Sequence, residues 1–202
     1  MATITWPSSG RAFQGAKYDE GLEGNVVISP GRNGNVSAVV IPGNRWMASV
    51  VIAKDSVAYD TERGQLEALI ATLRHGENRL AIWNLGRPRP NGTLQSGSPT
   101  LSGTAAVGAT SLALTGCSGS LLRGDRIAAA GQRFIVTADQ SPSGGDMTVS
   151  VWPPVRSSIG SSTALVYDKP TSLYIPSEPR FMFPYEGTER PAIALELMEV
   201  WT

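Results

Sequence analysis

Only one stretch of this 202-residue chain carries a helical period, and it sits among runs that read as strands and turns. Between Asp60 and Pro88, Leu66, Leu69, Ile70 and Leu73 recur at i, i+3, i+4 and i+7. That spacing lays one apolar stripe along a helix whose other faces carry Arg63, Glu67, Thr72 and Arg74. Asp60 or Thr61 can accept a hydrogen bond from the free N–H groups of the first turn, with Glu62 near the positive end of the dipole and Arg74 near the negative end. Gly76 is placed to stop the helix in the left-handed conformation that glycine takes without steric cost. Leu80, Ile82 and Leu85, with Trp83 between them, then begin a strand after a turn of about four residues. The pattern predicts a single helix laid on a mostly β domain.

Upstream of the helix, Thr3-Ile4-Thr5-Trp6 reads as a short strand, followed by a long loop and a second strand at Val26-Val27-Ile28. Val36 to Ile41 and Arg45 to Ile52 read as two strands joined by a hairpin loop at Pro42-Gly43-Asn44, with Trp46, Ala48 and Val50 on one face of the second. Trp46 reads as a packed core aromatic in preference to a sugar-stacking platform, because it alternates with apolar neighbours.

From Gly86 to Gly103 the composition shifts to a turn-rich connection that excludes helix. Arg87 and Arg89 alternate there with Pro88 and Pro90. They are either a small basic arm reaching a neighbouring subunit or ordinary arginines on a solvated linker, the second being preferred.

Residues 104–168 hold five short apolar runs in period two: Ser111 to Thr115, Gly124 to Ala128, Gln132 to Thr137, Met147 to Trp152 and Ala164 to Tyr167. Glycine turns such as Ala130-Gly131 and Ser143-Gly144-Gly145 separate them. Five such strands suit a small closed, OB-like barrel, which removes the exposed edges of an open sheet. Ser172 to Pro176, Phe181 to Phe183 and Pro191 to Trp201 follow. In the last run Ile193, Leu195, Leu197 and Glu199 fall on one face of a long strand, although Ala, Leu, Glu and Met also suit a helix. The fold class expected is mainly β: a helix-bearing β-sandwich built from residues 1–96 and 170–202, with a small β-barrel inserted at 97–169.

Composition narrows the chemistry. With 17 basic and 17 acidic residues the formal charge is zero, which argues against nucleic-acid binding by counterion release and leaves little self-repulsion against association. The N-terminal residues have neither a basic region nor an apolar run, so synthesis and folding in the cytoplasm are expected. No window approaches the apolar length of a membrane-spanning helix. Cys117 is the sole cysteine and His75 the sole histidine. Cys117 reads as a small filler thiol, and His75 as a group at the helix end. Carboxylate pairs such as Asp125 with Asp139 or Glu186 with Glu189 are available, but nothing selects one, and Gly124-Asp125 most simply caps a turn. No phosphate loop, metal-spaced histidine pair or nucleophile elbow occurs. The chain is therefore expected to have no catalytic, metal-binding or cofactor-binding residues.

Three groups of residues together resemble the distal tail proteins of long, flexible-tailed bacteriophages, in a short form with a barrel added to the ring domain. The first comprises Trp46-Met47-Ala48, Gln65 to Leu69 and Asn78 to Trp83, similar to the sandwich-plus-helix ring domain of phage tail tips. The second, Gly124 to Ile127, Gln132 to Asp139 and Val151 to Arg156, resembles a module recurrent in phage tail proteins. The third, Leu195 to Trp201, is like the closing strand of such subunits. Residues 1–35 lie outside the resemblance. It implies a structural virion protein at the tail tip, synthesised in the host cytoplasm: a homohexameric ring joining the tail tube protein to hub or fibre proteins, with a central channel for DNA in transit. Six-fold rings need head-to-tail contacts between two different patches of one subunit. The alternative is a carbohydrate-binding module whose barrel meets host glycan through Trp152 or Tyr167, since Pro153 and Pro154 end the strand and could leave the Trp152 indole at a rim. For Trp152 itself the preferred reading is a plug at the barrel end.

Overall fold

The computed structural model describes residues 2–7, 16–30, 36–52, 59–178 and 192–200, and among these the structure is mainly β with one α-helix. The strands are β1 (Thr3–Thr5), β2 (Lys17–Pro30), β3 (Val36–Ile52), β4 (Arg79–Trp83), β5 (Thr100–Leu101), β6 (Ser111–Thr115), β7 (Arg126–Ala129), β8 (Gln132–Val136), β9 (Met147–Trp152), β10 (Leu165–Val166), β11 (Thr171–Pro176) and β12 (Ile193–Glu199). Helix α1 spans Tyr59–Leu73 and runs into a 3-10 turn at Arg74–Gly76. The chain divides into two units: Met1–Leu80 with Tyr174–Val200, and Ala81–Leu173.

In the first unit one six-stranded sheet runs in the order β1-β4-β11-β12-β3-β2. The sandwich expected of this unit is represented, among the described residues, by that sheet and α1. Period-two alternation builds its buried face. Ile193, Leu195, Leu197 and Glu199 of β12 are buried while Ala194 and Glu196 are exposed, so the segment is a strand and not the alternative helix. The antiparallel register sets Leu195 opposite Val50 and Leu197 opposite Ala48, so buried residues of neighbouring strands meet in pairs. Trp46 is a core residue at 2% exposure, and its backbone N–H donates to the buried Glu199 carboxylate at 3.1 Å. That bond gives one partner to a carboxylate that the alternation carries into the interior.

Helix α1 buries Leu66, Leu69, Ile70 and Leu73 as its spacing predicts. Arg63 does not lie on a solvated face. It is three residues before Leu66 and so continues the apolar stripe, buried to 5% exposure with its Nε donating to Glu67 Oε1 at 2.9 Å. Arg74 already takes a positive φ of 45°, two residues before Gly76 at 102°, so the chain turns away at the end of Leu73. Asn78 then caps the helix, with its Nδ2 donating to the Thr72 carbonyl at 2.7 Å and its backbone N–H to the Leu73 carbonyl at 3.2 Å.

Two strand readings need correction. β2 begins at Lys17, because the charged run Lys17 to Glu23, taken as loop, forms the outer strand of the sheet, where charges face water. Pro42-Gly43-Asn44 is not a hairpin loop. β3 passes straight through it, and the ladder shifts from Glu23 opposite Arg45 to Asn25 opposite Ile41. Proline has no N–H to give a ladder, so the three residues are accommodated as a bulge opposite Gly24. Phe181 to Phe183 lie outside the described residues.

The second unit is a small barrel in the order β10-β7-β8-β9-β6-β5. β7, β8 and β9 form an antiparallel meander, with β6 added to β9 and β10 added to β7. Thr100 bridges Ala164, and Leu101 N–H donates to the Thr163 carbonyl at 2.9 Å, so the first and last strands join. Leu112, Leu114, Met147, Val149 and Val151 point inward, while Ser111, Ala113 and Thr148 face out. All five expected strands are present, and β5 is a sixth that the turn-rich composition of residues 86–103 concealed. This unit, Ala81–Leu173, extends beyond the expected 97–169, and residues 88–96 pack on the barrel with Leu94 fully buried in its core.

A candidate binding recess on the barrel

Asp125 fixes the segment from which the recess is built. Its carboxylate is 2% exposed and accepts three backbone N–H bonds, from Leu122 at 2.8 Å, Asn91 at 2.7 Å and Gly92 at 3.2 Å. The Leu122 bond closes the turn that the sequence predicts. The other two tie residues 88–96 across the barrel as a strap, a role no local pattern announces. Further along, Leu94 N–H donates to the Ser120 carbonyl at 3.0 Å, and Ser120 N–H to Thr93 Oγ1 at 2.9 Å. At the other end Lys169 N–H donates to the Pro88 carbonyl at 2.6 Å, so the strap and the chain leaving β10 run side by side.

Between them lies a recess of about 140 Å³ lined by Arg89, Pro90, Gln95, Tyr167 and Asp168. Arg89 Nε donates to Asp168 Oδ1 at 3.3 Å, with both side chains more than half exposed. The Tyr167 ring packs against the barrel core, and its hydroxyl donates to the Gly97 carbonyl at 3.0 Å. Two residues singled out from different parts of the sequence, Arg89 and Tyr167, are thus brought together. Trp152 and Arg87 are not among the lining residues. Trp152 stands at the end of β9, 37% exposed and opposite Ile135, so it does not plug the barrel. The exposed Arg87 reaches the Gly124 carbonyl with Nη1 at 3.4 Å. Gln95 and Asp168 escaped the sequence reading because their meeting depends on closure of the barrel.

Reactive groups elsewhere are engaged. Asp139 is held by Arg123, which donates its backbone N–H at 2.7 Å and Nη2 at 2.9 Å. Hydrogen bonding from the guanidinium, then from the backbone, lowers the Asp139 carboxyl to about 2. Asp125 and Asp139 therefore have separate structural partners. Burial, then the nearby Asp146 charge, raises the Cys117 thiol, which favours its protonated form. Glu186 and Glu189 lie outside the described residues. Among the described residues, no three His, Cys, Asp or Glu side chains gather as metal ligands and no helix is long and apolar enough to cross a membrane.

The depressed Asp139 carboxyl gives a signed expectation. Its contribution to stability is present above the ordinary value of 3.8 and fades as the pH falls through about 2. A carboxyl-detected NMR titration of the whole chain should give a midpoint near 2, and Arg123→Ala should return it towards 3.8. An unchanged midpoint in that variant means that Arg123 is not the cause.

No family model and no curated protein matches the sequence.

Proposed function

We propose that the chain is the ring-forming structural subunit at the distal end of a phage tail, joining the tail tube to hub or fibre proteins around a channel that passes DNA. The observation that carries this assignment is the overhang of the β2–β3 ribbon. β12 pairs with β3 only from Met47 to Ile52, whereas β2 and β3 continue to pair past the bulge, from Asn25 opposite Ile41 to Pro30 opposite Val36. Among the described residues, nothing else in the sheet pairs with that part of the ribbon.

A two-stranded ribbon alone is marginally stable in water. Its sequence also lacks the usual protection of an edge. Lys17, Asp19, Glu20 and Glu23 guard the first half of β2, whereas Asn25 to Pro30 and Val36 to Ile41 hold no charged residue. Consecutive apolar residues, Val26-Val27-Ile28 and Val39-Val40-Ile41, cannot all be assigned to one face of a strand. We assign the cover of this part of the ribbon to a neighbouring subunit, and an arm laid against a different patch of the next copy is the heterologous contact that closes rings. Zero formal charge leaves little repulsion to oppose it.

Light scattering across a concentration series up to tens of micromolar tests the assignment. The expected mass approaches six times 21.4 kDa, and Val27→Lys with Val39→Lys, a pair directly opposite in the register, should return it to one. A strict monomer that also fails to join purified tail tubes would overturn the assignment.

A further inference from the structure

The barrel's recess suggests a second activity that does not depend on ring assembly. We propose that the juxtaposition of Arg89, Gln95, Tyr167 and Asp168 beside Pro90 is a binding site for one neutral sugar ring of a glycan.

Charge comes first. Arg89 and Asp168 neutralise each other through a single contact, Nε to Oδ1 at 3.3 Å. A free anion would have to compete with Asp168 for the guanidinium, and a free cation with Arg89 for the carboxylate. A neutral polyol displaces neither. Hydrogen-bonding capacity comes second. Among the described residues, the Arg89 terminal nitrogens, Asp168 Oδ2 and the Gln95 side-chain amide have no hydrogen-bond partner, and all belong to residues that line the recess. Together they offer cationic donors, an anionic acceptor and an amide that does both. Neighbouring sugar hydroxyls, each a donor and an acceptor, match that mixture better than a simple ion does.

Shape and rigidity come third. The recess, at about 140 Å³, suits one small ring and is smaller than a typical drug-sized pocket. Tyr167 is held at both ends, its ring against the core and its hydroxyl on the Gly97 carbonyl, so an apolar sugar face can meet it with little ordering cost. Trp152, the more obvious sequence candidate, does not line the recess.

Saturation-transfer NMR on the full chain is the test. The probes are methyl glucoside, methyl galactoside, methyl mannoside and N-acetylglucosamine at about 10 mM, with acetate and methylamine as charged controls. At least one sugar should bind saturably. Its affinity should fall roughly tenfold or more in Gln95→Ala and Tyr167→Ala and hold in Trp152→Ala. Gln95 is exposed and its side chain has no hydrogen-bond partner among the described residues, so its variant remains informative even if Tyr167→Ala unfolds. The proposal is overturned by no saturable sugar binding, by tighter binding of a charged control, by sugar binding unaffected in Gln95→Ala, or by loss confined to Trp152→Ala. The last result would assign recognition to the rim tryptophan. Because these readouts concern the barrel alone, they stand whatever mass light scattering returns.

Discussion

Replacing Asp125 by alanine is expected to cost the barrel about 3–5 kcal/mol, since each buried donor left without an acceptor costs roughly 1–3 kcal/mol. Three backbone N–H groups lose their acceptor at once, and Gly92, whose N–H is one of them, is itself buried. In calorimetry of the whole chain the barrel transition should fall by well over ~10 °C. Hydrogen exchange should locate the damage: the Asn91, Gly92 and Leu122 amides should exchange roughly 100-fold faster, while the β12–β3 ladder in the other unit stays protected. Asp125→Asn, which keeps one accepting oxygen but turns an NH2 towards donors, should fall between wild type and alanine. Asp139→Ala is the control, since that carboxylate lies at the surface and its partner Arg123 is exposed. A loss below about 1 kcal/mol for Asp125→Ala would show that other contacts hold the strap.

Much of the fold was legible because local period and burial agree. The apolar residues at i, i+3, i+4 and i+7 gave α1, and alternation in Ile193 to Glu199 gave a strand and its buried face together. Five barrel strands showed because each has apolar residues in period two between glycine turns. The errors share a different cause. Lys17 to Glu23 is charged because it is an edge, so hydrophobic pattern cannot find it. Pro42-Gly43-Asn44 has the chemistry of a turn, yet pairing with β2 on both sides of it carries β3 through and leaves only a bulge. Arg63 appeared polar and solvated, but its spacing from Leu66 and its bond to Glu67 take it inside. The strap was mistaken for a linker because proline and glycine mark irregular backbone, not exposed backbone. Its attachment depends on Asp125, 33 residues beyond Gly92 in sequence. The recess follows the same logic: Arg89 and Tyr167 were visible singly, but only a closed barrel brings them together with Gln95 and Asp168.

Adding one methyl group where the strap crosses the barrel is expected to cost nearly as much as deleting Asp125. A Cβ on Gly119 would meet the Thr93 carbonyl group and stand 2.6 Å from Leu94 N, and a Cβ on Gly92 would meet the Ser120 carbonyl. All of these are backbone atoms, which cannot swing aside as a flexible side chain does, so either the strap lifts or the 118–121 turn moves. Overpacking of this kind costs roughly 1–3 kcal/mol and occasionally more, and Gly119→Ala should lie at or above the upper end. Gly103→Ala in the same unit is the matched control, because its Cβ would enter open space, and it should be neutral or slightly stabilising through the unfolded chain. The two strap variants also test each other. If the strap is held as one piece, Gly119→Ala releases it, and little remains for Asp125→Ala to remove. Denaturant unfolding of the double variant should then show a loss smaller than the sum of the singles by about 1 kcal/mol or more. Strict additivity would mean that the two contacts hold the segment independently and that the recess wall at Arg89 and Gln95 is not a single rigid element.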